Sequence, residues 1–254
     1  MRTGVAQGAA SPWRATLAMA AMELRLVLRR GETLLATLVL PVVVLVFFSS
    51  VLVIPSDAGR PVDFLLPGSI AFAIIATSLV SLGITTAYDR HYGVLKRLGG
   101  SPLSRPELLT AKILGVLVVE AVQVALLVGV AAFGLGWQAP ADASAGLVVV
   151  AALLGTLAFA GVGLLLAGLL RAETMLAVAN ILFVASLVLG GIVVPVDHLP
   201  AALAALAGAL PAAALSEAVR IALGAAGDAT EPLVLLAIWG VAAALLAGRT
   251  FRWE

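Results

Sequence analysis

The sequence predicts an all-α integral membrane protein with six transmembrane helices, and three observations carry that expectation. Of 254 residues, 62% are hydrophobic and 11% charged, with a mean hydropathy of +1.15; a soluble domain is about half apolar and about a quarter charged. The apolar residues gather into six runs near 33–53, 66–87, 109–135, 146–170, 174–195 and 232–248. Each is close to the roughly twenty residues that cross a hydrocarbon core as a helix. The basic residues also fall on one side of these runs. With both termini cytoplasmic, all 15 Lys and Arg except Arg60 and Arg220 lie inside, as positive-inside topology requires. The chain 1–254 reads as one membrane domain.

Residues 1–11 are small and polar, a loose tail. From Trp13, the apolar positions Trp13, Leu17, Ala20, Leu24 and Leu28 recur at helical spacing, with Arg14, Arg25 and Arg29 off to one side. That pattern predicts a helix over 12–31 lying in the cytoplasmic interface, its arginines reaching the headgroups. The first apolar run is too long for a signal h-region and is expected to be retained as span 1. Pro41 removes a backbone donor within it and should kink it.

Spans 2 and 3 enclose the long polar stretch Tyr88–Lys112, which holds Arg90, Lys96, Arg97, Arg105 and Lys112 against Asp89 and Glu107. Such a basic loop belongs on the cytoplasmic side. Tyr92–Leu98 mixes Val94, Leu95 and Leu98 with Lys96 and Arg97 and stops at Gly99-Gly100, the signature of a short amphipathic helix with a glycine stop. Ser104 and Glu107 then form an S-x-x-E capping box, with Pro106 tolerated in the first turn of the next helix. The short helix is either a docking element or part of a solvated loop.

Span 3 contains Glu120, an ionisable residue well inside the membrane, with Gln123 on the same helical face at i+3. A carboxyl there must face protein or water. It lines a substrate path or subunit seam, or it is a structural group held by Arg171 or another donor. Spans 4 and 5 carry Ala151/Gly155 and Gly163/Ala167 at small-xxx-small spacing, which suits close helix packing within one chain. Gly190-Gly191 should loosen the end of span 5 before Pro195. Between spans 5 and 6, residues 200–209 and 212–224 are apolar but too short to cross. They predict an outer helical hairpin, with Glu217 and Arg220 paired at i, i+3.

Enzyme chemistry finds little support. The sequence has no cysteine and no G-x-x-x-x-G-K-[ST] phosphate loop, so this chain cannot cradle ATP in that way. His91 and His198 fall in loops on opposite sides, Ser69 has no histidine to activate it, and no metal-ligand cluster is visible.

In order, PGSIAF at 67–72, YDRHYGVLKRLGGSPLS at 88–104, GGIVVPVDHLP at 190–200 and SEAVRIALGA at 216–225 resemble the type 2 ABC exporter permeases. The branch most similar in look is that of the daunorubicin-resistance drug-efflux permeases. Where that family usually has Asn-Pro before its last outer helix, this chain has Leu210-Pro211. The resemblance implies a dimer of this permease with a second copy or a sister permease, driven by a separate cytoplasmic ABC ATPase that holds the ATP and Mg. No cofactor is implied in this chain, and no nucleic-acid partner. The ATPase-coupling helix carries over to about Asp89–Leu98, through Asp89, Arg90, Val94, Leu95, Lys96, Arg97 and Leu98, with Arg171 and Glu173 as a second contact. The implied function is efflux of a lipophilic drug or lipid-like substrate across the plasma membrane, as in multidrug export and antibiotic resistance. Oligosaccharide export and a non-transporting, ABC-linked sensor or scaffold are the alternatives.

Overall fold

The computed structural model describes residues 12–29, 31–51, 60–99 and 104–250. The expected tail 1–11, the turn at Ser101-Pro102 and the last residues of the chain lie outside these. Helix α1 (Pro12–Arg29) is followed by α2 (Gly31–Val51), where the sequence places span 1. Span 2 runs from Pro61 to His91 as α3 (Pro61–Ile75), a π-helical turn at Ala76–Ser81 and α4 (Leu82–His91). The short helix α5 (Val94–Gly99) follows, then span 3 as α6 (Arg105–Gly129) with a π-helical turn at Val130–Gly134. Spans 4 and 5 are α7 (Ala145–Leu169) and α8 (Ala172–Leu189); α9 (Ala201–Ala209) and α10 (Pro211–Ala222) form the hairpin, and α11 (Thr230–Thr250) is span 6.

Five helices among the described residues are long and apolar enough to cross a membrane; the first expected span falls on α2, which is 21 residues long and whose stretch Thr37–Val51 is a shorter apolar helix. Span 2 starts earlier and ends later than its apolar run suggests. Pro61 sits in its first turn, where no amide partner is needed, and α4 continues through the charged Asp89 and Arg90 because both find partners within the chain. Span 5 ends at Leu189 rather than 195: Gly190 caps it and Gly191 takes φ +63°, a backbone region that glycine favours.

Span 2 is the central helix, with 83% of its apolar window buried against 17% for α8. Leu65, Leu66, Ile70, Ile74 and Leu79 build the main core with Leu127, Leu215 and Leu236 from α6, α10 and α11. Phe72 stacks on Phe183 of α8 at 4.5 Å between ring centres. The small residues of α7 serve packing within this chain. A side chain at Gly155 would strike Leu215, one at Gly161 would strike Ala243, and one at Gly163 would meet the backbone of Ser78 and Leu79.

The hairpin is bent by 80° between its two helices. Its second helix is built into the core, with Leu215, Ala218 and Val219 fully buried, so α10 is not loosely attached. Arg220 donates to the carbonyls of Phe64 (3.3 Å) and Gly191 (3.0 Å), lies 4.1 Å above the Phe64 ring centre and pairs with Glu217 at 3.4 Å. This holds α10 to the start of span 2 and to the end of span 5. Just ahead of α11, the Thr230 N–H and hydroxyl donate to Asp228 (2.9 and 2.7 Å) and hold its carboxyl below the usual aspartate range.

Candidate functional site

At the α5 end of the bundle, the sequence explains why a helix protrudes. The α4 helix stops at Tyr92, and Gly93 adopts φ +70°, which turns the chain at little steric cost. The six residues Val94–Gly99 then form α5. The expected helix over Asp89–Leu98 is therefore divided. Asp89 and Arg90 belong to the end of span 2, and Val94 to Leu98 form the separate short helix.

The two faces of α5 differ. Leu95 is fully buried against Met19 of α1 and Leu108 and Ala111 of α6, with Leu98 half-buried beside it. Leu95, one of the residues that the resemblance gives to ATPase coupling, thus anchors α5 to its own chain. The exposed side of this end consists of Val94, Lys96 and Arg97 on α5 and, just ahead of the helix, Tyr92 (68% exposed).

Asp89 and Arg90 work inward. Arg90 donates two hydrogen bonds, to the carbonyls of Gly168 and Leu170, at the C-terminal end of α7 where carbonyls lack helical partners. Cations are favoured at that end of a helix. Arg90 thereby brings the α7–α8 turn, with exposed Arg171 and Glu173, beside the end of span 2. Asp89 accepts from Lys112 at 2.8 Å, and Glu23 of α1 accepts from the same ammonium at 2.8 Å. Lys112 is the buried node of this site, its side chain 1% exposed, and it joins α1, α4 and α6. Sequence reasoning placed Lys112 among the loop cations and missed this role. Its three members come from three distant elements, so no local spacing reveals them.

Helix α1 uses two faces. Thr16 and Met19 are buried and Glu23 turns inward, whereas Trp13, Leu17 and Leu28 of the apolar stripe remain exposed. The capping box forms as expected: the Glu107 carboxylate accepts from the Ser104 amide at 2.6 Å and from its hydroxyl at 2.7 Å.

Glu120 and Gln123 are each 2% exposed, and each binds a different neighbour. The Thr156 hydroxyl lies 2.5 Å from Glu120, while Glu120 Oε1 has no hydrogen-bond partner among the described residues. Arg171 does not hold Glu120; Thr156 of α7 does. Gln123 donates from Nε2 to the Thr37 carbonyl at 2.9 Å and takes the Thr77 hydroxyl on Oε1 at 3.0 Å. Pro41 accounts for the first contact. In a regular helix the Thr37 carbonyl accepts from the amide of residue 41, which proline lacks, and Gln123 supplies a donor from span 3. Gln123→Leu is accordingly expected to destabilise the protein by about 1 kcal/mol, and by less in a Pro41→Ala background, where an amide returns. Thermal unfolding of the four proteins in detergent measures this; equal costs in both backgrounds would exclude the link.

At the opposite end, a cavity of about 640 Å³ opens between the start of span 2, the segment after α8, α10 and the start of α11. Its Glu217–Arg220 pair is the one the sequence spacing predicts.

No curated protein matches the chain significantly. The family model for the ABC-2 type transporter matches residues 14–223, which takes in nearly all of α1, then α2, spans 2 to 5, α5 and the hairpin. A bundle of apolar helices with a short anchored helix at one end and a built-in hairpin at the other fits that match, and the chain belongs to the ABC-2 type transporter family, the membrane-spanning permeases of ABC transporters.

Proposed function

We propose that this chain is the permease subunit of an ATP-driven exporter, of the daunorubicin-resistance type, that moves a lipophilic drug or lipid-like substrate out of the cytoplasm or inner leaflet. It pairs with a second permease in the plasma membrane, both termini cytoplasmic, and α1 lies on lipid through its exposed apolar stripe. A separate ABC ATPase carries the ATP and Mg. The observation that supports this reading best is the two-sided character of α5. Its inner face is fixed by Leu95, so a force applied to the outer face reaches α1 and α6 rather than bending a free loop. The outer face offers an aromatic ring, an aliphatic side chain and cations, a composition suited to docking a soluble partner. The Arg171–Glu173 turn, joined to span 2 by Arg90, is the second contact.

The test is co-expression with the cognate ABC ATPase. Val94→Asp combined with Tyr92→Ala should abolish co-purification and substrate-stimulated ATP hydrolysis while folded yield is maintained. Leu95→Asp should instead lower the folded yield, because it opens the packing against Met19 and Leu108. Unchanged co-purification and hydrolysis in the Tyr92/Val94 variant would reject α5 as the coupling element.

A further inference from the structure

Glu120 is a buried titratable group that the coupling reading does not use. One of its carboxyl oxygens meets the Thr156 hydroxyl, and the other, Oε1, has no hydrogen-bond partner among the described residues. Thr156 has a single hydrogen and also lies 2.8 Å from the Ala152 carbonyl, so even the first contact is shared. No charge compensates. Helix α7 holds no charged residue, span 2 holds none between Asp63 and Asp89, and α11 holds none between Glu231 and Arg249. Lys112, two turns away on α6, is held by Glu23 and Asp89. A buried polar atom without a partner disfavours the packed state that leaves it so, and native proteins hold few of them. The other sides of α7 pack differently. Gly155 lies against Leu215 of α10, Gly161 against Ala243 of α11 and Gly163 against the backbone of span 2, which ties α7 closely to all three. Span 3 is tied by polar side chains to α1, α2 and span 2, and to span 4 by the Glu120–Thr156 contact.

We propose that the seam between spans 3 and 4 is a gate: span 3 parts from span 4 at the Glu120–Thr156 contact and admits water to the Glu120 carboxyl. Water both donates and accepts, so it completes Oε1 in the open state, and the packed state is favoured by the apolar contacts around it. Val116 of span 3 and Ala160 of span 4, each one turn from the polar pair, belong to one apolar cluster. Gln123, one turn further along α6, keeps span 3 on α2 and span 2, which confines the opening to the span 4 side. What drives the gate rests on the reading above: a force on α5 reaches α6 through Leu108 and Ala111 and shifts α6 against α7. The opening itself does not rest on that reading.

The chain has no cysteine, so a single introduced thiol reports on water entry. Ala160 at the seam and Ala218 on α10 are both fully buried. Ala160→Cys and Ala218→Cys are prepared separately in the full chain, in lipid nanodiscs with no ATPase present. Each is treated with a negatively charged methanethiosulfonate, which modifies thiols that water reaches, and the product is followed by mass spectrometry. Ala160→Cys is expected to react about tenfold faster than Ala218→Cys. Adding Glu120→Leu should slow the Ala160→Cys reaction by about tenfold and raise the unfolding temperature, because the packed state then holds no unpaired carboxyl oxygen. Glu120→Gln, which keeps a polar group in place, should react as the parent does. A carboxyl that only holds the helices together gives the opposite signs for Glu120→Leu, a faster reaction and a lower unfolding temperature. Those signs, equal protection of the two thiols, or indifference to Glu120→Leu would each overturn the gate. Any of these would leave the docking of α5 untouched, and a failure of docking would leave the gate untouched.

Discussion

Lys112→Met is expected to lower the stability of the folded protein by about 3 kcal/mol, toward the lower end of the cost of breaking a buried ion pair from one side. The ammonium is 1% exposed and serves two carboxylates at 2.8 Å each. Its removal leaves Glu23 and Asp89 facing one another with no cation between them. Their own exposure, 15% and 21%, lets water recover part of the loss, so the cost falls short of the upper range. Thermal unfolding in detergent and the folded fraction on size exclusion measure the effect. The triple variant Glu23→Gln, Asp89→Asn, Lys112→Met should recover much of the stability, because no unpaired charge remains. If Lys112→Met alone unfolds with the parent, the triad does not hold α1 to the bundle. Loss of α1 from α6 would also release α5, since Met19 is one wall of the Leu95 pocket.

Gly163→Leu should destabilise the protein by about 3 kcal/mol, the upper end for overpacking. A side chain begun at Gly163 would stand 3.0 Å from the Leu79 carbonyl oxygen and 3.1 Å from that of Ser78. Both obstacles are backbone of the π-helical turn in span 2 and cannot rotate away as a side chain could. On the facing side Gly83 approaches equally closely, its own would-be side chain meeting Gly163 at 3.2 Å. Spans 2 and 4 would have to separate, and span 2 is the core of the fold. Gly129→Leu is the matched control, for nothing lies within 4 Å of a side chain there. A large fall in the unfolding temperature for Gly163→Leu with little change for Gly129→Leu is the expected result; similar shifts for both would show that the crossing tolerates a side chain.

The spans were readable because a membrane imposes a simple rule: long helices must be apolar and must satisfy their backbone internally. The six runs, the hairpin with its short helices, the Ser104–Glu107 cap and the Glu217–Arg220 pair all follow from local pattern. Their physical causes act over a turn or two of chain, or over the length of one helix. The ends of the spans were less legible. Asp89 and Arg90 read as loop residues because their charges belong in water, yet α4 carries them while Lys112 and the α7 carbonyls satisfy those charges.

The sequence by itself determined the all-helical membrane class, the order of the elements and the membership in a permease family. It also determined that a short amphipathic helix lies between spans 2 and 3. Only the tertiary structure decided which face of that helix is free, because Leu95 and Val94 are equally apolar and differ only in whether Met19 and Leu108 cover them. The partners of Glu120 and Gln123 were decided in the same way. Their spacing puts them on one side of α6, but the carbonyl that Pro41 leaves open lies on another span, as does the Thr156 hydroxyl. The partners of Lys112 likewise come from elements far apart in the chain. Contacts of this kind depend on how helices are placed against one another, and no local period in the sequence encodes that placement.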